Sequence, residues 1–317
     1  MLDQLHADSK AKVERAVQWL DRFLSGRSTD LNQRELCLAL LGLSCGNRFL
    51  EAHSSSRNLS DASRRLIALL LENWANSNDE SNNEFASDPA TRLLSAVFAA
   101  SDNALASTYQ TTVLGQWRTI KELVAFRSSP QLTLTCNLLA ALLDGSGQLP
   151  DLSSLSNSMP QHPFSHYLAD AAEIQETRAT LAIRTAYGSL LPKLTESEAE
   201  FARNALPFWT FFYIKERDLD HVCPLVRTMK YLRLEDQPEY AEGLRYILRQ
   251  AREDGSFATA DLSCKCLSQL SAESIDVERT INLPLTVAAL WTLLECFSES
   301  GSWLPCALGS EQPVGAN

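Results

Sequence analysis

Pro238-Glu-Tyr-Ala-Glu-Gly-Leu-Arg-Tyr-Ile-Leu-Arg-Gln-Ala-Arg252 and Leu283-Pro-Leu-Thr-Val-Ala-Ala-Leu-Trp-Thr-Leu-Leu294 together decide the fold class. The first repeats its apolar side chains every three or four residues and keeps its charges on the other side, the pattern of a helix with one wet face. The second is apolar around its whole circumference and must be covered on every side. Segments of both kinds alternate along the chain. The fully apolar ones include Leu36–Leu43, Leu66–Leu71, Leu132–Leu143 and Leu206–Ile214. An inner layer of covered helices with an outer layer of amphipathic ones makes an all-α, α/α toroid of paired helices the expected fold.

The 3.6-residue period predicts helices near 10–25, 32–45, 60–76, 89–100, 103–127, 131–144, 165–188, 196–216, 222–234, 238–252 and 283–299. Boundary residues agree: Gly26 after the first, the Thr195-Glu-Ser-Glu198 capping box, and Pro238 at a helix start. Twelve Gly and twelve Pro in 317 residues are too few for a sandwich or barrel with a turn every ~8–12 residues. One domain is expected over 1–300, with a Ser/Pro-rich surface loop near 145–163 and an irregular tail over 301–317. Ala16-Val-Gln-Trp-Leu-Asp-Arg-Phe23, followed by the apolar helix from Leu36, echoes Gly243-Leu-Arg-Tyr-Ile-Leu-Arg-Gln250, followed by that from Leu283.

The formal charge of −11 has the wrong sign for phosphate backbones or anionic lipid, so no nucleic-acid partner is expected. The longest uncharged apolar stretch, Ala205–Ile214, is about half of the ~20 residues a bilayer span requires, and Met1–Glu14 carries charges where a signal peptide needs an apolar run. No integral membrane segment and a cytoplasmic location are the expectations. Most of the eight cysteines sit inside apolar helical patterns, where a thiol packs as a small hydrophobe. Cys264-Lys-Cys266 lacks zinc-ligand spacing, and the last histidine is His221, so neither a metal nor a cofactor is called for.

The block Asp218–Phe257 carries the chemistry-bearing residues. It resembles the β domain of class II terpene cyclases, the squalene–hopene cyclase group. Asp218-Leu-Asp220-His221 stands where that family has Asp-x-Asp-Asp. The helix Val222–Leu232 follows, and then Tyr246-Ile247, Gln250 and Asp254-Gly255-Ser256-Phe257 match its Gln and Gly-x-Trp repeat. The resemblance implies that Asp220 is the general acid of a proton-initiated cyclisation of a polyprenyl or related apolar substrate, with Asp218 beside it. His221 replaces the last Asp. Neutral, it can hold Asp220 by a hydrogen bond; protonated, it favours the carboxylate and empties the acid form.

The same residues have a plainer reading, since Asp at a helix N-terminus is a cap and a partner of the dipole. Phe208, Trp209, Phe211, Phe212 and Tyr213 crowd just upstream, with Trp291 on a later helix. Trp209, Phe212 and Trp291 are the candidate substrate-binding residues, because aromatic faces stabilise carbocations; as ordinary core they would carry no ligand. A protein prenyltransferase-like zinc site would use Asp261 and Cys264 but lacks its later histidine. The function expected is therefore a terpene cyclase-like enzyme of specialised metabolism or, alternatively, a non-catalytic binding scaffold or partner protein in a biosynthetic complex.

Overall fold

The computed structural model describes residues 2–27, 31–52, 61–76, 85–100, 104–145, 150, 165–190, 194–258 and 278–297. Among them the chain is all-α and has no strand, only an isolated bridge between Ala251 and Phe257. The helices are α1 (Leu2–Arg27), α2 (Gln33–Ala52), α3 (Asp61–Asn76), α4 (Pro89–Ala99), α5 (Ala104–Arg127) and α6 (Pro130–Asp144). After a 3₁₀ turn at Ser165–Tyr167 come α7 (Ala171–Arg184), α8 (Glu196–Lys215), α9 (Leu219–Tyr231) and α10 (Pro238–Arg249). A π-helical turn at Glu278–Asn282 leads into α11 (Leu283–Phe297).

Local chemistry starts most of these helices. Asp88 and Ser129 cap the backbone of Thr91 and Leu132, each followed by a proline at the first helical position. Asp170 with Glu173, and Thr195 with Glu198, close reciprocal capping boxes. The Asp170 box explains why α7 begins at Ala171 although the apolar rhythm predicts a helix from 165. Gly26 does not stop the first helix, which runs to Arg27. That helix also begins well before residue 10, because its polar first turns are packed: His6 stacks on Phe297 at 5.1 Å between ring centres.

The covered helices α2 and α11 pack on each other, as their sequences require. From α2 the contacts pass to α4, α6, α7, α9 and α11 in turn, and α11 returns to α2. The remaining helices lie against members of that succession: α1 and α3 on α2, α5 on α4 and α6, α8 on α9, α10 on α8, α9 and α1. One hydrophobic cluster, from Leu5 to Cys296, joins them all. Thr280–Phe297 is long and apolar enough to cross a membrane, yet 67% of it is buried inside the protein, as a core helix demands.

The segment after α10 seats on α1. Arg252 N–H donates to the Ser256 carbonyl at 2.8 Å, and the Asp254 carboxylate accepts from both the backbone and the hydroxyl of Ser256. Gly255 between them has φ +99°, the left-handed region expected of this turn, and a Cβ there would strike the Arg15 carbonyl oxygen. Phe257 is fully buried, with its N–H donating to Thr286 Oγ1 at 2.9 Å. Gln250 contributes its backbone carbonyl, which accepts from Ala258; its side chain makes no hydrogen bond among the described residues. The loop near 145–163, apart from Gly145 and Pro150, the tail over 301–317, and Asp261, Cys264 and Cys266 lie outside the described residues.

Candidate functional site

The connection that carries the Asp-x-Asp motif is tight. After Lys215, Arg217 takes a left-handed conformation (φ 58°), and Asp218 N–H donates to the Tyr213 carbonyl at 2.9 Å, closing α8. Asp218 then opens α9. Its Oδ1 accepts from the His221 backbone N–H at 3.1 Å, and its Oδ2 meets His221 Nδ1 at 2.8 Å. Tyr213 stacks on the His221 ring at 4.3 Å. Asp218 thus commits one oxygen to the cap and the other to the imidazole. Asp220 shares neither bond and is exposed in the first turn of α9.

Burial opposes ionisation of Asp218, but the hydrogen bonds from the His221 ring and backbone outweigh it and hold the carboxyl below its ordinary value. The hydrogen bond to Asp218 in turn raises His221 above its ordinary value, against burial. A raised histidine stabilises the fold fully below its unfolded value of about 6.5, and that stabilisation is lost as pH rises through the folded value. The Asp218 contribution is present above its unfolded value of about 3.9 and disappears as pH falls through the folded one. The pair is therefore strongest in mildly acidic solution. His221→Gln should flatten the decline in melting temperature between about pH 6 and 8 relative to wild type. Parallel wild-type and variant profiles would show the pair to be uncoupled from folding.

The three aromatic candidates face separate surroundings. Trp209 is 1% exposed, and its indole N–H donates to the His166 carbonyl at 2.9 Å while Phe201 packs edge-on. Phe212 is 45% exposed and touches Tyr213. Trp291, half-buried on α11, meets Phe98 and Tyr187. None of the ring contacts of Trp209 or Trp291 involves the other. Phe208 and Phe211 join Phe212 on the exposed side of α8.

A polar cluster that sequence reasoning missed surrounds Trp291. On α9, Asp220, Pro224, Arg227 and Tyr231 follow at helical spacing, descending from the exposed first turn to the core. Arg227, 6% exposed, lies 3.8 Å above the Trp291 ring and donates to the Ala288 carbonyl and to Thr292 Oγ1 (2.9 Å). The indole N–H of Trp291 donates to Glu295 Oε1 at 2.5 Å. Tyr187 sits between Tyr231 (6.5 Å) and Trp291 (6.1 Å), delivered by consecutive positive-φ residues: Ala186, Tyr187 and Gly188 at 44°, 52° and 84°.

Arg178, half-buried on α7, feels the charge of Arg227 and of Asp220, and burial pushes its guanidinium down to about 10. Burial likewise pushes the Tyr187 phenol up to about 12. The available signal was an arginine at 227 on the otherwise apolar face of α9, where a solvated charge has no place.

A concavity of about 490 Å³ opens where the N-terminal ends of α2 and α4 meet, lined by Asn32, Arg34, Cys37, Asp88, Thr91 and Arg92. An Arg34–Asp88 ion pair at 3.1 Å lies in it, and Arg92 donates to Gln33 Oε1. No protein family, no curated protein and no solved structure matches the chain.

Proposed function

We propose that the chain is an α/α toroid used as a non-catalytic binding protein. The contact succession α2, α4, α6, α7, α9, α11 and back to α2, with the other helices packed on it, supports the toroid. The observation that carries the functional half is the disposition of the acids. Proton-initiated cyclisation needs a desolvated carboxylic acid over a closed apolar pocket. Asp220 instead stands exposed at a helix start, Asp218 is engaged by His221, and the aromatic residues that would line the pocket look elsewhere.

The test is incubation of purified protein with a linear polyprenyl hydrocarbon and its terminal epoxide, followed by product analysis, for wild type and Asp220→Asn. No cyclised product is expected from either. The two should melt within about 0.5 kcal/mol of each other, since a surface carboxylate in a first turn is worth little more than its amide. A cyclic product from wild type that vanishes in Asp220→Asn would establish the cyclase reading instead.

A further inference from the structure

We propose that the exposed face of α8 is the interface of a homodimer, in which a second copy of the chain packs its own α8 antiparallel across a two-fold axis at Phe208. The inference goes beyond the non-catalytic reading above and does not depend on it.

Seven large apolar side chains are exposed among the described residues, and five of them, Tyr167, Leu168, Phe208, Phe211 and Phe212, lie together here. Apolar residues exposed singly are ordinary, whereas a contiguous patch marks a contact surface. Tyr167 packs on Phe208 at 4.9 Å between ring centres, and Phe208, Phe211 and Phe212 are neighbours at the three- and four-residue spacing of one helix face. Tyr167 and Leu168 stand out furthest, at 61% and 89% exposed. Together the five offer on the order of 500 Å², a large part of the ~800 Å² that each partner of a specific complex buries.

The charges select the occupant. Glu200, Asn204, Phe208, Phe211 and Lys215 recur at helical steps and form one exposed stripe down α8. Glu200 opens the stripe and Lys215 ends it, lying 5.0 Å over the Phe211 ring; neither forms an ion pair among the described residues. At ~1.5 Å per residue, Phe208 stands about 12 Å after Glu200 and about 10 Å before Lys215. Opposite charges at nearly equal distances from an aromatic centre make the stripe self-complementary. Turned about Phe208, a second copy sets Phe208 against Phe208 and each Glu200 beside Lys215 of the partner subunit. A parallel pairing would instead bring like charges together. An unrelated partner has no need of this symmetry.

Sedimentation velocity over a range of protein concentrations tests the interface. Wild type should pass from monomer to dimer in the micromolar range. Phe211→Ser, at an exposed position, should remain monomeric there while keeping native circular dichroism and melting temperature. Glu200→Lys and Lys215→Glu, each alone, put like charges opposite each other at both ends of the stripe and should weaken dimerisation by roughly tenfold or more. Mixed in equal amounts, the two variants should form a heterodimer about as tight as wild type, because every contact then joins opposite charges.

Wild type that stays monomeric throughout overturns the proposal, including the case in which it sediments with phosphatidylcholine–phosphatidylserine vesicles instead, since the face then serves a lipid surface. A dimer untouched by Phe211→Ser also overturns it. So does a mixture of the two charge-reversed variants that associates no better than either alone, which would exclude the antiparallel two-fold pairing.

Discussion

Gly255→Val should destabilise the protein by roughly 3 kcal/mol or more, combining a β-branched residue at positive φ with a collision against backbone. At φ +99° valine has no comfortable conformation, and its Cβ would meet the Arg15 carbonyl, an atom that can yield only if α1 shifts. The turn is also tied to α1 by Arg22, which donates to the Asp254 carbonyl at 2.5 Å. Movement at residue 255 therefore disturbs the seat between the chain's first helix and the segment after α10. Thermal melting checks this, with exposed Glu253→Ala as the comparison, expected within about 0.5 kcal/mol of wild type. A Gly255→Val melting curve indistinguishable from wild type would mean that the turn is not packed on α1.

Glu198→Ala should be of similar size, about 3 kcal/mol, because it removes one partner of a largely buried ion pair together with half of a capping box. Arg184 reaches both Glu198 oxygens, at 2.6 and 3.4 Å, and the two side chains are only 10% and 11% exposed. The same carboxylate accepts from the Thr195 backbone at 2.8 Å. Burial alone would raise the Glu198 carboxyl, but the bonds from Arg184 and Thr195 prevail and lower it. The sign follows: the stabilisation is present above the unfolded value of about 4.3 and is lost as pH falls through the folded one. Wild type and Glu198→Ala should therefore converge in stability on acidification. A constant gap from neutral to acidic pH would exclude the ion pair as the cause.

Glu198 also marks what was readable from sequence. The Thr195-Glu198 box, the proline starts and the 3.6-residue rhythm are local, depending on residues within a turn or two, and the helices follow them closely. The first turns of α1 were not readable. Their polar composition hides a helix held by Phe297, at the far end of the chain. Asp218 and Asp220 could be capping or catalytic residues by spacing alone; deciding requires knowing that one is tied to His221 and the other faces solvent. The Trp291 cluster lay beyond sequence reasoning for a stronger reason. Arg227 comes from α9 and Trp291 with Glu295 from α11, and only their meeting gives them significance.

The packing of α11 against α2, and of α10 against α1, has a consequence for how the chain acquires its structure. Lys12 donates to the Leu248 carbonyl across a sequence separation of 236 residues. A chain made from its N-terminus exposes the apolar surface of α2 long before its main partner α11 exists. Contacts across such a separation form only late in synthesis, and the waiting surface is open to aggregation or chaperone capture. Nascent chains arrested before residue 283 should therefore associate with holdase chaperones and be degraded readily by protease, with protection arriving only when the last described helix is released.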